Sequence, residues 1–223
     1  MRRTTRLISL LATLGALGLD AQAALETWRG FDEGSGVVGT QSAAAQASFL
    51  AAVNDGVRLD FESSLTGLGI AGGAVTNDAT CAAAFCGFNT TAGGSRFLLL
   101  SGQGSSATFT FDTGISYFGA FFSGLQLTTG TITFSDGESQ SISLPSGDPY
   151  KGGTAFVGFS NPGKLITSLT VFTGNDIVAI DDVVYGGGTT PAIPEPGTWA
   201  LMGLGLCGIV AAKRKSANAG SQT

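Results

Sequence analysis

Two adjacent carboxylates, Asp181 and Asp182, interrupt an apolar run that extends from Ile177 to Tyr185. In a strand, alternate residues face opposite sides, so Ile180, Asp182 and Val184 should share one face and Asp181, Val183 and Tyr185 the other. One of the two acids must then point toward an apolar interior or a sheet edge. A carboxylate there is costly unless it is paired, hydrogen-bonded or bound to a cation. Hard carboxylate oxygens supplemented by backbone carbonyls suit Ca²⁺, which makes a structural calcium ion the chemistry to look for. The alternative is that one aspartate accepts backbone amides or pairs with Arg58 or Lys164 while the other is solvated.

Other constellations are sparse. Histidine is absent from all 223 residues, which removes the usual general base and the commonest metal ligand. Glycoside hydrolysis would still be open, because it needs only two carboxylates. Cys81 and Cys86 read as a disulfide closing a small loop rich in Ala, Gly, Asn and Thr. They lack the two-residue spacing of a redox motif and have no histidine partner for a metal. Phe88 and Asn89 beside that loop are candidate glycan contacts, as is Tyr150, which follows Asp148-Pro149 in a turn-rich segment. A ring with a polar edge is what a sugar face commonly meets. No Walker loop, zinc-protease helix, EF-hand loop or Gly-x-Ser-x-Gly elbow is present.

The elements that must position these groups are mostly strands. Ser42 to Val53 is the one convincing helix, alanine-rich, capped by Thr40 or Ser42 and ended by Asn54-Asp55-Gly56, with Phe49, Leu50 and Val53 facing the body. From Gly56 onward short alternating runs recur between turn pairs such as Asp136-Gly137 and Ser146-Gly147. In Val57-Arg58-Leu59-Asp60-Phe61-Glu62, the period of two sets Val57, Leu59 and Phe61 against Arg58, Asp60 and Glu62. Further strands are expected near 96–100, 107–111, 117–122, 130–134, 140–144, 154–159, 166–172 and 177–185. The expected fold is all-β, a jelly-roll-like antiparallel sandwich with one short N-terminal helix, similar to carbohydrate-binding and galactose-binding-like modules. In such modules the first and last strands often lie side by side. That resemblance implies that Asp60 or Glu62 approaches Asp181 or Asp182 to complete the calcium site.

Both termini carry addresses. Arg2, Arg3 and Arg6 precede an apolar stretch from Leu7 to Leu19, and Ala21-Gln22-Ala23 is a small-x-small site, so residues 1–23 read as a Sec signal peptide cut between Ala23 and Ala24. Residues 24–188 form the ectodomain and 189–193 a linker. Pro194-Glu195-Pro196 follows, then an apolar anchor helix from Gly197 to Ala212, the basic triplet Lys213-Arg214-Lys215, and a cytoplasmic tail over 216–223. The prolines hold an extended, accessible backbone, and the triplet keeps the end of the chain in the cytoplasm. This three-part segment, 194–215, resembles the PEP-CTERM sorting signal, which implies an exosortase-like peptidase as processing partner. The resemblance also implies brief retention in the inner membrane, then display at the cell surface or outside it near exopolysaccharide. The helix, the Asp60-Phe61-Glu62 strand and the final strand are loosely similar to the ectodomain of many such proteins, with no catalytic motif to transfer.

Charge agrees with an exported, non-nucleic-acid role. The ectodomain has five basic side chains, Arg29, Arg58, Arg96, Lys151 and Lys164, against fourteen carboxylates. Such a surface repels phosphate backbones. The expectation is a non-enzymatic surface or matrix protein without a catalytic cofactor, with calcium as a structural ion. A carbohydrate-binding module is the alternative and a carboxylate-dependent glycoside hydrolase the next.

Overall fold

A computed structural model describes residues 24–53, 56–63, 67–78, 81–126 and 130–187, all within the unit Gln22–Pro191. The signal cleavage site at Ala23, the helix stop at Asn54-Asp55, the linker, Pro194-Glu195-Pro196 and the apolar anchor lie outside the described residues.

Two antiparallel sheets form a sandwich. The first holds β1 (Glu26–Glu33), β2 (Val57–Leu59), β4 (Ala74–Thr76), β5 (Phe97–Leu100), β7 (Tyr117–Ser123), β10 (Gly153–Ser160) and β12 (Val178–Gly186). Its order is β1-β10-β7-β12-β5-β4, with β2 also paired to β12. The second sheet holds β3 (Leu68–Ala71), β6 (Ser105–Ile115), β8 (Thr131–Ser135), β9 (Ser139–Ser143) and β11 (Ile166–Gly174), in the order β3-β6-β11-β8-β9. Two helices, α1 (Thr40–Ala52) and the four-residue α2 (Ala83–Cys86), complete the unit.

Alternation decides which side chains meet between the sheets. In β6, Ala107, Phe109 and Phe111 are buried, whereas Thr110 and Asp112 are exposed. Phe109, Phe118, Phe159 and Phe134 form a chain of ring contacts across the core, with centroids 5.6, 6.1 and 4.4 Å apart in succession. β7 and β10 break the alternation. Every residue of β7 is buried, and all of β10 but its last, because the outer face of their sheet is covered as well. There α1 lays Phe49 into a slot formed by the paired glycines Gly119 and Gly158. A Cβ on either glycine would come within 2.8 Å of the Phe49 ring. Trp28, Tyr117 and Phe156 surround that ring at 5.4, 6.1 and 5.5 Å.

The structure revises three expectations. The cap of α1 comes from neither Thr40 nor Ser42. Asp32, on β1, accepts Gln41 N–H (3.0 Å), Ser42 N–H (2.8 Å) and the Ser42 hydroxyl (2.6 Å). It thereby satisfies orphan donors and puts negative charge at the helix start. The strand from Val57 stops at Leu59. Asp60 accepts the Glu62 N–H (3.0 Å) in a local turn and Phe61 adopts φ 60°, so Leu59 and Phe61 reach the core while Val57 stays 53% exposed. The two-residue period also fails inside β12. Its register against β7 shifts between Asp181 and Val184, and Asp182 takes φ 47°. The extra residue reverses the phase: Val178 and Ile180 enter the inter-sheet core before it, Val183 and Tyr185 after it. Asp181, opposite Phe121, faces outward with Val184. Strands β1, β3 and β4 and the helix α2 were not expected.

Two tests follow from this packing. Phe49→Ala should cost about 3–5 kcal/mol in denaturant unfolding, and Gly158→Ala should also destabilise because its methyl displaces the same ring. Asp32→Ala should cost about 1–2 kcal/mol. Burial raises the Asp32 carboxyl, but the hydrogen bonds from Ser42 and Gln41 outweigh it and leave it below its ordinary 3.8. The native state therefore binds this proton more weakly than the unfolded chain. The contribution is full above the unfolded pKa and disappears as pH falls through the lower, folded one. Urea titrations at pH 7 and pH 3 should accordingly show a smaller gap between wild type and Asp32→Ala at pH 3; an undiminished gap would refute the cap.

Candidate functional site

By ordinary alternation after Ile180, Asp181 lies on the outer face of its sheet, yet it is only 1% exposed. The cover is the segment that runs from the disulfide into β5. Cys81 and Cys86 are bonded, with Cα atoms 5.4 Å apart, and α2 ends at Cys86. Gly87 passes over Ala179 with no room for a side chain, and Phe88 is anchored through its N–H and carbonyl to the Ser123 hydroxyl (2.9 and 3.0 Å). The chain then presents Thr90 and Thr91 to the two aspartates.

The contacts there are dense. Asp181 Oδ2 accepts the Thr90 N–H at 2.7 Å and the Thr91 N–H at 3.2 Å. The Thr90 hydroxyl lies 3.2 Å from Asp181 Oδ2 and 2.8 Å from Asp182 Oδ2. The Thr91 hydroxyl lies 3.4 Å from Asp181 Oδ2 and 2.8 Å from Asp182 Oδ1. Oδ1 of Asp181 is buried and has no hydrogen-bond partner among the described residues. Burial pushes the Asp181 carboxyl up to about 6 against the amides of Thr90, Asp182 and Thr91 that favour its charge, and the neighbouring Asp182 charge adds to the rise.

The other acids proposed from the sequence are held elsewhere on the same loop or nearby. β2 does lie beside β12, with Leu59 opposite Val183. Glu62 Oε1, however, accepts the N–H groups of Ser95 and Arg96 (both 2.6 Å) and the Asn89 amide (3.2 Å). Those of Arg96 and Ser95 hold its carboxyl below the usual range. Asp60 is taken by its turn with Glu62. Among the described residues no three His, Cys, Asp or Glu side chains gather as a metal cluster, so the four acids do not form one shared site.

The candidate glycan contacts do not converge. The Asn89 amide is committed to Glu62 and to the Arg96 carbonyl (2.8 Å). Tyr150 is 86% exposed on the loop before β10, its N–H bonded to Asp148 Oδ1 (2.8 Å). Lys151 braces that loop by pairing with Glu33 at 3.1 Å. Gly152 brings the loop against the Ala84 carbonyl, so Tyr150 stands near the disulfide end of the cover rather than beside Asn89. Thr90 and Thr91 were missed as site residues. Their only signal was their place after Asn89 in an Asn-x-Thr triplet.

No curated relative matches the chain. A mutant of a family 29 carbohydrate-binding module, studied for ligand recognition, is similar at 10% identity and a TM-score of 0.36, covering 64% of this chain and 99% of that one. The enzymatically active domain of tailspike protein 4 from bacteriophage CBA120 is similar at 22% identity and a TM-score of 0.31, over 53% of this chain and 19% of that one. Neither score reaches the level that marks a common fold. At the C-terminus, residues 192–215 match the PEP-CTERM protein-sorting motif. Proteins with this motif are exported and sorted to the cell surface. The C-terminal segment therefore marks this chain as an exosortase substrate.

Proposed function

We propose that the protein is a non-enzymatic component of the cell surface or extracellular matrix, whose ectodomain is displayed among exopolysaccharide after exosortase acts at Pro194-Glu195-Pro196. The sorting motif at 192–215 carries this reading. The ectodomain's own architecture supports it. Setting aside β1 to β4, the order β5-β12-β7-β10 over β6-β11-β8-β9 matches the strand arrangement of a jelly roll, with successive strands passing between the sheets except at the β8-β9 hairpin. Several carboxylates are held in structural contacts: Asp32 caps a helix, Glu33 pairs with Lys151, and Glu62 and Asp136 hold turns. Two acids acting on a glycoside must flank a cleft, whereas Asp181 is shut beneath Thr90 and Thr91.

In the native host, intact mass should give a species that begins at Ala24 and ends between Pro194 and Gly197. Glu195→Ala should abolish it and leave chain that retains Lys213 to Lys215 in the membrane fraction. Retention of those residues in the wild-type mature protein would overturn the reading.

The exposure of Tyr150 favours a second reading, a carbohydrate-binding module. Affinity electrophoresis in the host's own polysaccharide should then show retardation that Tyr150→Ala weakens by about tenfold or more, as expected for loss of an aromatic platform. Unchanged retardation would remove Tyr150 from any such site.

A further inference from the structure

We infer that Asp181, Asp182, Thr90 and Thr91 form a calcium site that clasps the disulfide loop to the bulge of β12. Three observations carry it. Asp181 is 1% exposed, yet one oxygen of its carboxylate has no partner among the described residues. A second carboxylate, the half-buried Asp182, lies directly beside it, and the ion pairs formed by described residues involve Lys151 with Glu33 and Asp148, never these aspartates. Protons are also too few for the oxygens. Each threonine hydroxyl has one hydrogen but stands within 3.4 Å of both carboxylates, so two oxygen-to-oxygen approaches have no proton between them.

A hard cation removes all three deficits at once. It supplies the positive charge, takes Asp181 Oδ1 and a carboxylate oxygen of Asp182 as ligands, and accepts the lone pairs that the hydroxyls cannot protonate. Oxygen ligands of mixed charge, with water filling the remaining positions, are what Ca²⁺ tolerates, whereas Mg²⁺ demands near-ideal octahedral geometry. The backbone is shaped for it. Asp182 reaches Thr90 and Thr91 only because its φ of 47° and the register shift turn it onto the side of Asp181. The site differs from the one that the sequence suggested, since Asp60 and Glu62 give way to two hydroxyls.

The experiment uses the full chain in detergent, stripped with EDTA and then titrated with calcium chloride. Wild type should show saturable one-site heat in calorimetry and a melting midpoint raised by roughly 5 °C or more at about a hundredfold excess over Kd. Asp182→Asn is the informative variant, because asparagine tolerates the left-handed backbone and removes only the charge. It should melt at or above wild type in EDTA, where repulsion is relieved, and below it in calcium, with affinity reduced about tenfold or more. Calcium that leaves wild-type heat and midpoint unchanged would overturn the proposal. So would a calcium shift retained in Asp182→Asn, or a variant that melts below wild type by equal amounts in both media, which would make the contact a hydrogen-bonded clasp alone.

Discussion

The outer face of the seven-stranded sheet is apolar, and an apolar face in water has to be covered. Tyr117, Phe121, Phe156, Val184, Leu99 and Ala179 line it and are all buried. At about 25 cal/mol for each Å² of apolar surface removed from water, such a layer contributes on the scale of a whole domain's net stability. Two covers share the task. The helix α1 seals the end at β7 and β10 through Phe49, and the disulfide-stapled segment seals the end at β12 and β5. The rest of the outer surface is organised around these two.

Each cover needs a polar clasp, because neither is held by a sheet ladder. For α1 the clasp is Asp32, which reaches from β1 to the first amides of the helix. For the second segment it is Asp181 with Asp182, reaching from β12 to Thr90 and Thr91, with Glu62 gripping the same segment farther along at Ser95 and Arg96. The two clasps differ in electrostatic cost. Asp32 meets a helix start, whose dipole and free N–H groups favour the anion, and its carboxyl is correspondingly lowered. Asp181 is buried, and that burial, with the neighbouring carboxylate adding to it, raises its carboxyl against the amides it meets. The same residue type is thus comfortable at one clasp and frustrated at the other, and the difference lies in what surrounds it.

Legibility in the sequence followed the same division. Strands whose alternation is unbroken, such as β6 and β8, could be read, and so could the apolar runs of β7 and β10. β1 escaped because Glu26-Thr27-Trp28-Arg29-Gly30 mixes charge, ring and glycine without a period, as an edge strand can. β3 and β4 are too short for periodicity, and Gly72-Gly73 between them turns at positive φ. The sorting motif was legible, since proline, acid, apolar run and basic triplet are a linear code that needs no folding to be read. The aspartate pair was legible as a problem and not as a geometry. Period-two counting cannot foresee a residue that leaves the strand conformation, and the partners of the pair sit some ninety positions away in sequence.

The bulge that defeated the counting is also what makes the pair chemically distinctive. In a regular strand Asp182 would have faced the inter-sheet core beside Ile180, unpaired among phenylalanines, which is the costliest place in the fold for a charge. The inserted residue moves that charge out of the core at the expense of one ladder position and a left-handed backbone. It also sets both carboxylates on one side, against the same two hydroxyls. Like charges brought together by the backbone repel unless something positive joins them, so solving the burial problem creates a cation-binding one. Extracellular calcium modules of this kind are weak, and a site of two carboxylates and two hydroxyls belongs to that class.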